Sequence, residues 1–110
     1  MKITEIISGD APSLSFEVFP PKTSDKFESV MGAAAEIAKL KPSYMSVTYG
    51  AGGGTSEYTT AICEALNGFG VTALAHLTCV SSNMGRIESE LEKLRSHGIG
   101  NILALRGDIP

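Results

Sequence analysis

The sequence predicts an α/β fold with a parallel sheet, and three observations carry that prediction. Four short apolar runs of strand-forming residues alternate with three longer runs of helical periodicity. The strand runs are nearly continuous in apolar character instead of cleanly alternating, which is the pattern of parallel strands covered on both faces. Glycine or proline punctuates the junctions where one period gives way to the other.

The first strand is "SLSFEVF", Ser13 to Phe19, and Pro20 and Pro21 stop it, because proline supplies no ladder donor and restricts the residue before it. A helix follows. Asp25 and Glu28 have capping-box spacing, and Phe27, Val30, Met31, Ala34, Ile37 and Ala38 form one stripe before Pro42 ends the run. The second strand is "YMSVTY". A second helix, roughly Thr55 to Asn67, buries Tyr58, Ile62, Ala65 and Leu66 and finishes at Gly68 and Gly70, which suit a left-handed C-cap. The third strand is "VTALAHLTCV". The third helix starts at Ser82 or Asn83, carries Met84, Ile87, Leu91 and Leu94 on one face and stops at His97 and Gly98, with His97 capping its C-terminus. The fourth strand is "NILALR".

Composition narrows the function classes. At 110 residues, 43% hydrophobic and 19% charged, the chain has the make-up of one small globular domain. Net charge is −3 and the basic residues are scattered, so no stripe suits nucleic acid or an anionic membrane, and a small-molecule site is expected. The N-terminus lacks the apolar core of a signal peptide, and no run approaches the roughly 18 to 20 apolar residues of a membrane span, so a cytoplasmic location is expected. Cys63 and Cys79 have neither C-x-x-C nor zinc-finger spacing, which predicts two small buried residues and no metal site.

Parallel strands place their C-terminal ends along one edge, where ligands bind in both barrels and open α/β sheets. Glu17, Thr48 to Gly54, His76 to Cys79 and Arg106 to Asp108 fall on that edge. A doubly wound dinucleotide fold requires G-x-G-x-x-G or a P-loop after a strand. Here Gly50, Gly52, Gly53 and Gly54 are followed by Thr55 where the third fingerprint glycine belongs, and no G-K-[ST] is present. The stronger geometric reading is the first half of a (β/α)8 TIM barrel, about four βα units, with residues 1–110 as a single partial domain. A full barrel needs about 250 residues, so the remaining half is expected outside this chain.

Glu17 lies in the middle of the first apolar strand, on the face shared with Ser15 and Phe19 and opposite Leu14, Phe16 and Val18. It is read either as one half of a buried ion pair with Arg106 or Lys22, or as a proton donor whose carboxyl is held toward neutrality by desolvation. Without further information His76 is a core histidine.

The segments "SFEVFPPKT", "SVTYGAGGGT", "HLTCV" and "ALRGDIP", in this order and at this spacing, closely resemble the N-terminal half of the methylenetetrahydrofolate reductase family, over essentially the whole chain. The resemblance implies a flavoprotein barrel in which FAD passes hydride from NADH or NADPH to the one-carbon unit of methylenetetrahydrofolate, feeding methionine synthesis. It implies Glu17 as the proton donor, with Thr48, Tyr49 and Ala51 on the nicotinamide and flavin side of the pocket and His76 in contact with the flavin. Leu105, Arg106, Gly107 and Asp108 match the segment that holds the flavin, and Asp108 also faces the folate as counter-charge to a cationic iminium. On this reading the glycines at 50, 52, 53 and 54 keep side chains out of the space that a flat ring occupies. A homo-oligomer is expected. The competing readings are a non-catalytic half-barrel that self-associates and a small nucleotide-binding α/β module.

Overall fold

Four parallel strands form one sheet in the order β1-β2-β3-β4: β1 is Ser15–Val18, β2 Tyr44–Val47, β3 Ala73–Thr78 and β4 Ile102–Leu105. The computed structural model describes residues 2–21, 23–49, 56–80 and 83–107. A doubly wound sheet reverses its strand order at a switch point, whereas here every crossover steps the same way. The fold is therefore α/β with the strand order of a (β/α)8 barrel, and its four strands and three crossover helices correspond to part of such a barrel.

Neighbouring residues in a parallel ladder share a face, so the register sorts the side chains. Glu17 lies beside Ser46 and Ser46 beside Leu74, while Val18 lies beside Val47 and Val47 beside Ala75. The second set is the buried one. Val18, Met45, Val47, Ala73 and Ala75 pack under α2 (Phe27–Ala38), α3 (Ser56–Gly68, with described side chains from Tyr58) and α4 (Met84–Ser96), against Ala34, Ala38, Ile62, Cys63, Leu66 and Leu94. The stripe expected on α2 is present, with Phe27, Val30, Met31 and Ile37 packed around the two alanines. Burial also pushes the Cys63 thiol up to about 12, because the core solvates a thiolate poorly. Cys79 is only partly buried, short of the burial expected for it.

Helix ends follow local chemistry. At the end of α4 the Gly98 N–H donates to the Arg95 carbonyl at 3.1 Å and the Ile99 N–H to the Leu94 carbonyl at 3.0 Å, and Gly98 has φ +75°. This is a Schellman motif, completed by the buried apolar pair Leu94 and Ile99. The α3 terminus repeats it with Gly70 and Val71. At its start α4 is capped by Asn83, whose side-chain oxygen accepts from the Arg86 N–H at 2.9 Å.

Four further features depart from expectation. The capping box at Asp25 and Glu28 does not form; Ser24–Lys26 make a 3₁₀ turn instead, and the Asp25 carboxylate accepts from the Thr23 hydroxyl. Residues Ile3–Ile7 form a short helix, α1, whose Ile3 N–H donates to the Asn101 side chain at 2.9 Å. Met84 is 75% exposed and Leu91 38%, and Ile87 is half-buried, so the apolar stripe of α4 is fully buried at Leu94 alone. The strands are not covered on both faces either. Phe19 is 67% exposed, Leu103 41% and Leu105 38%, because the helices cover one side of the sheet only.

Candidate active site at the strand C-terminal edge

The ladder continues beyond the strands and aligns their C-terminal ends. The Thr48 N–H donates to the Val18 carbonyl at 3.0 Å, Cys79 N–H to Leu105 at 2.8 Å and Val80 N–H to Arg106 at 2.7 Å. Glu17, Thr48, Tyr49, His76, Leu105, Arg106 and Gly107 thus belong to one edge, as the alternating pattern predicts. Ala51, Asp108, Lys22 and the glycines at 50, 52, 53 and 54 lie outside the described residues.

On the inner face the Glu17 carboxylate and the His76 imidazole meet, with Oε1 and Nε2 3.7 Å apart. By ladder register Glu17 is level with Leu74, yet it meets a residue two positions further along β3. A barrel of eight strands and shear eight advances one residue per strand, hence two from β1 to β3, and stacks side chains of alternate strands into layers. Glu17 and His76 are such a layer. At that level β2 presents Val47, which points outward into the core, so no β2 side chain separates them. Among the described residues Glu17 pairs with His76 and not with Arg106. His76 is a core histidine by burial, with a side chain only 10% exposed, while that of Glu17 is 45% exposed. These four strands do not supply the desolvation expected around Glu17.

The other edge residues are held by the backbone. Thr48 and Tyr49 are half-buried just past β2, and the Thr48 carbonyl accepts from the hydroxyl of buried Thr59 at 2.9 Å, tying the edge to α3. Sequence reading missed Thr59; its signal is a β-branched hydroxyl on the buried side of a helix, one turn into it. Arg106 is exposed, and its Nε donates to the Gly107 carbonyl at 3.3 Å. Gly107 has φ +87°, and a Cβ there would lie 2.1 Å from Thr78 Cγ2 and 2.9 Å from Val80 Cγ1. Backbone conformation and close strand packing therefore require glycine at 107 whatever binds nearby.

Phe19, Leu103 and Leu105 leave exposed apolar surface on the face that carries Glu17 and His76. A groove lined by Thr60, Glu64, Lys93 and His97 lies between α3 and α4, on the helical side of the sheet and away from this edge. His97 caps α4 as expected, its Nδ1 2.8 Å from the Lys93 carbonyl. Among the described residues no cluster of three His, Cys, Asp or Glu could hold a metal ion, and no helix is long and apolar enough to cross a membrane.

Comparison with known proteins gives one consistent result. The family model for methylenetetrahydrofolate reductase matches residues 2–110. The chain is 38% identical over 110 residues to methylenetetrahydrofolate reductase (NADH) 1 of Arabidopsis thaliana, covering 99% of this chain and 19% of that protein. It is 37% identical over 99 residues to 5,10-methylenetetrahydrofolate reductase of Pectobacterium carotovorum subsp. carotovorum and 35% identical over 99 residues to that of Escherichia coli (strain K12), covering 89% of this chain and 33% of each relative. The chain thus spans about a fifth to a third of the length of the curated relatives it matches.

Proposed function

Because the chain belongs to the methylenetetrahydrofolate reductase family, we propose that it forms the proton-donor side of a folate-reducing active site. The reaction proposed is reduction of 5,10-methylenetetrahydrofolate to 5-methyltetrahydrofolate by NADH or NADPH through FAD, supplying methionine synthesis in the cytoplasm. The flavin, when bound, supplies the hydride chemistry; the protein supplies placement, charge and a proton.

The observation that carries this reading is the position of Glu17. Its carboxyl stands on the open inner face, close to the edge that Thr48, Arg106 and Gly107 share, and its neighbour is a buried histidine. Opening the bridged ring of the substrate leaves a cationic iminium at one nitrogen and demands a proton at the other, and Glu17 provides that proton. Asp108 is proposed as the counter-charge that stabilises the cation by Coulomb attraction. Thr48, Tyr49, Ala51 and His76 would line the space for the flavin and nicotinamide, while Leu105, Arg106 and Gly107 would hold the flavin from the end of β4. The competing nucleotide-binding module has no support in the strand order.

Glu17→Gln, in the protein expressed from its complete reading frame, tests this. Flavin content and flavin reduction by NADH or NADPH are expected to persist while folate reduction falls by the ~10² to 10⁴ typical of general-acid loss. Near-normal folate turnover would remove Glu17 from the reaction.

A further inference from the structure

We infer that His76 is the positioning residue for Glu17: the two form one unit across the first inner layer, in which the buried imidazole holds the half-exposed carboxyl in its donating orientation. This rests on the reading of Glu17 as proton donor, but the geometry behind it is independent of that reading.

The two members of the pair differ in how they are held. The His76 side chain is 10% exposed and is fixed on a central strand, whereas that of Glu17 is 45% exposed on an edge strand. An exposed glutamate loses rotamer entropy when it acts from one geometry, and a fixed neighbour of suitable chemistry reduces the number of geometries it samples. At 3.7 Å the imidazole nitrogen is too far for a hydrogen bond, but it is within ion-pair range of the carboxylate. A small rotation of the freer partner closes the gap. Among the described residues of this face, the ladder neighbour of His76 on β4 is Leu103, its neighbours along β3 are Leu74 and Thr78, Ser46 lies lower on β2 with Thr48 following at the strand end, and Glu17 is the carboxylate within ion-pair range. The other titratable side chain on this face among the described residues is Tyr44, beside Ser15 and one row below Ser46. Ser46 is small, so the β2 residue beside Glu17 places no bulky side chain between the carboxyl and the imidazole above it. Position matters here because a misplacement of about 1 Å at a reacting group costs on the order of 10² in rate.

A histidine that only contacts a cofactor and a histidine that acts through Glu17 give different double-mutant cycles. The folate half-reaction is measured by single-turnover absorbance in the complete protein for the wild type, Glu17→Gln, His76→Gln and the double variant. His76→Gln is expected to slow this step about tenfold or more when Glu17 is present, and less than about twofold in the Glu17→Gln background, since the acid it positions is gone. Equal fold losses in both backgrounds would overturn the proposal. A second readout needs neither turnover nor flavin. In cofactor-free protein labelled with ¹⁵N-histidine, Glu17→Gln is expected to shift the ring-nitrogen resonances of His76, identified by their loss in His76→Asn, and leave those of His97 unmoved. Unmoved His76 resonances would overturn the pairing, even where His76→Gln fails to fold. If Glu17→Gln leaves the folate step at the wild-type rate, the proton-donor reading falls, an outcome distinct from additive losses in a cycle where Glu17→Gln is itself slow.

Discussion

Gly107 is the position where one added carbon atom is most costly. Its φ of +87° disfavours any side chain by about 1–2 kcal/mol, and the Cβ contacts at 2.1 and 2.9 Å require Thr78 or Val80 to move, at a further ~1–3 kcal/mol. Gly107→Ala is therefore expected to lower unfolding free energy by roughly 2 to 5 kcal/mol in denaturant titration. Thr78→Ser removes the nearer methyl and should recover the larger part of the steric cost, the Val80 contact remaining; no recovery would mean that the Thr78 contact contributes nothing. Cys63 offers a pH test. Burial raises its thiol from 9.0 to about 12, so below 9 the thiol is neutral in both folded and unfolded chains and its contribution is fully present. From 9 toward 12 the unfolded chain releases the proton and the folded one retains it, and stability falls by up to ~1.4 kcal/mol per pH unit. Comparing Cys63→Ala with the wild type over that range isolates the effect, since the variant lacks this component. Parallel curves would contradict it.

At the scale of elements, the three long helices end in two ways. In α3 and α4 a glycine takes the left-handed position and the next residue donates back into the helix. After α2 the left-handed residue is Lys41, with φ 54°, and the following residue is Pro42, which has no N–H to complete a Schellman motif. The Lys41 N–H still bonds the Ala38 carbonyl at 3.0 Å. Lys41→Gly should stabilise the chain by roughly 0.5–1 kcal/mol, because relief of the left-handed strain exceeds glycine's added unfolded-state entropy. Gly98→Ala should destabilise it by about 1–2 kcal/mol from backbone conformation alone, since its Cβ would meet nothing within 4 Å. Opposite signs in thermal melts support this account of the caps; equal signs would refute it.

For the molecule as a whole, the uncovered surfaces are the inner face, the outer edge of β4 and the Met84 to Leu91 stretch of α4. All three are places where a barrel lays down its next βα unit or its opposite strands. Open parallel edges and apolar faces recruit partners. Residues 1–110 expressed alone are expected to self-associate and to bind FAD weakly with little or no turnover, measured by light scattering and by visible flavin absorbance. A stable monomer with full flavin and reductase activity would show that these four units need no further cover.

Periodicity and punctuation determined the element order, the parallel polarity, the α2 stripe and the edge on which Glu17, Thr48, His76 and Arg106 gather, because these are properties of local spacing and of the strand-to-helix alternation. The strand order was legible only by elimination, through the failed glycine fingerprint. Tertiary structure alone decided the rest. Helix α1 places Ile3, Ile6 and Ile7 on one side, but its five residues are too few for periodicity to identify a helix, and it is tied by Asn101, 98 positions away. The half-covered face of α4 depends on how the helix sits against the sheet and α3, which no repeat within the helix encodes. The partner of Glu17 follows from barrel shear: the sequence offers Arg106 and Lys22 as cations, but a stagger of one residue per strand brings His76 of β3 level with β1, and that stagger exists only once the strands are paired.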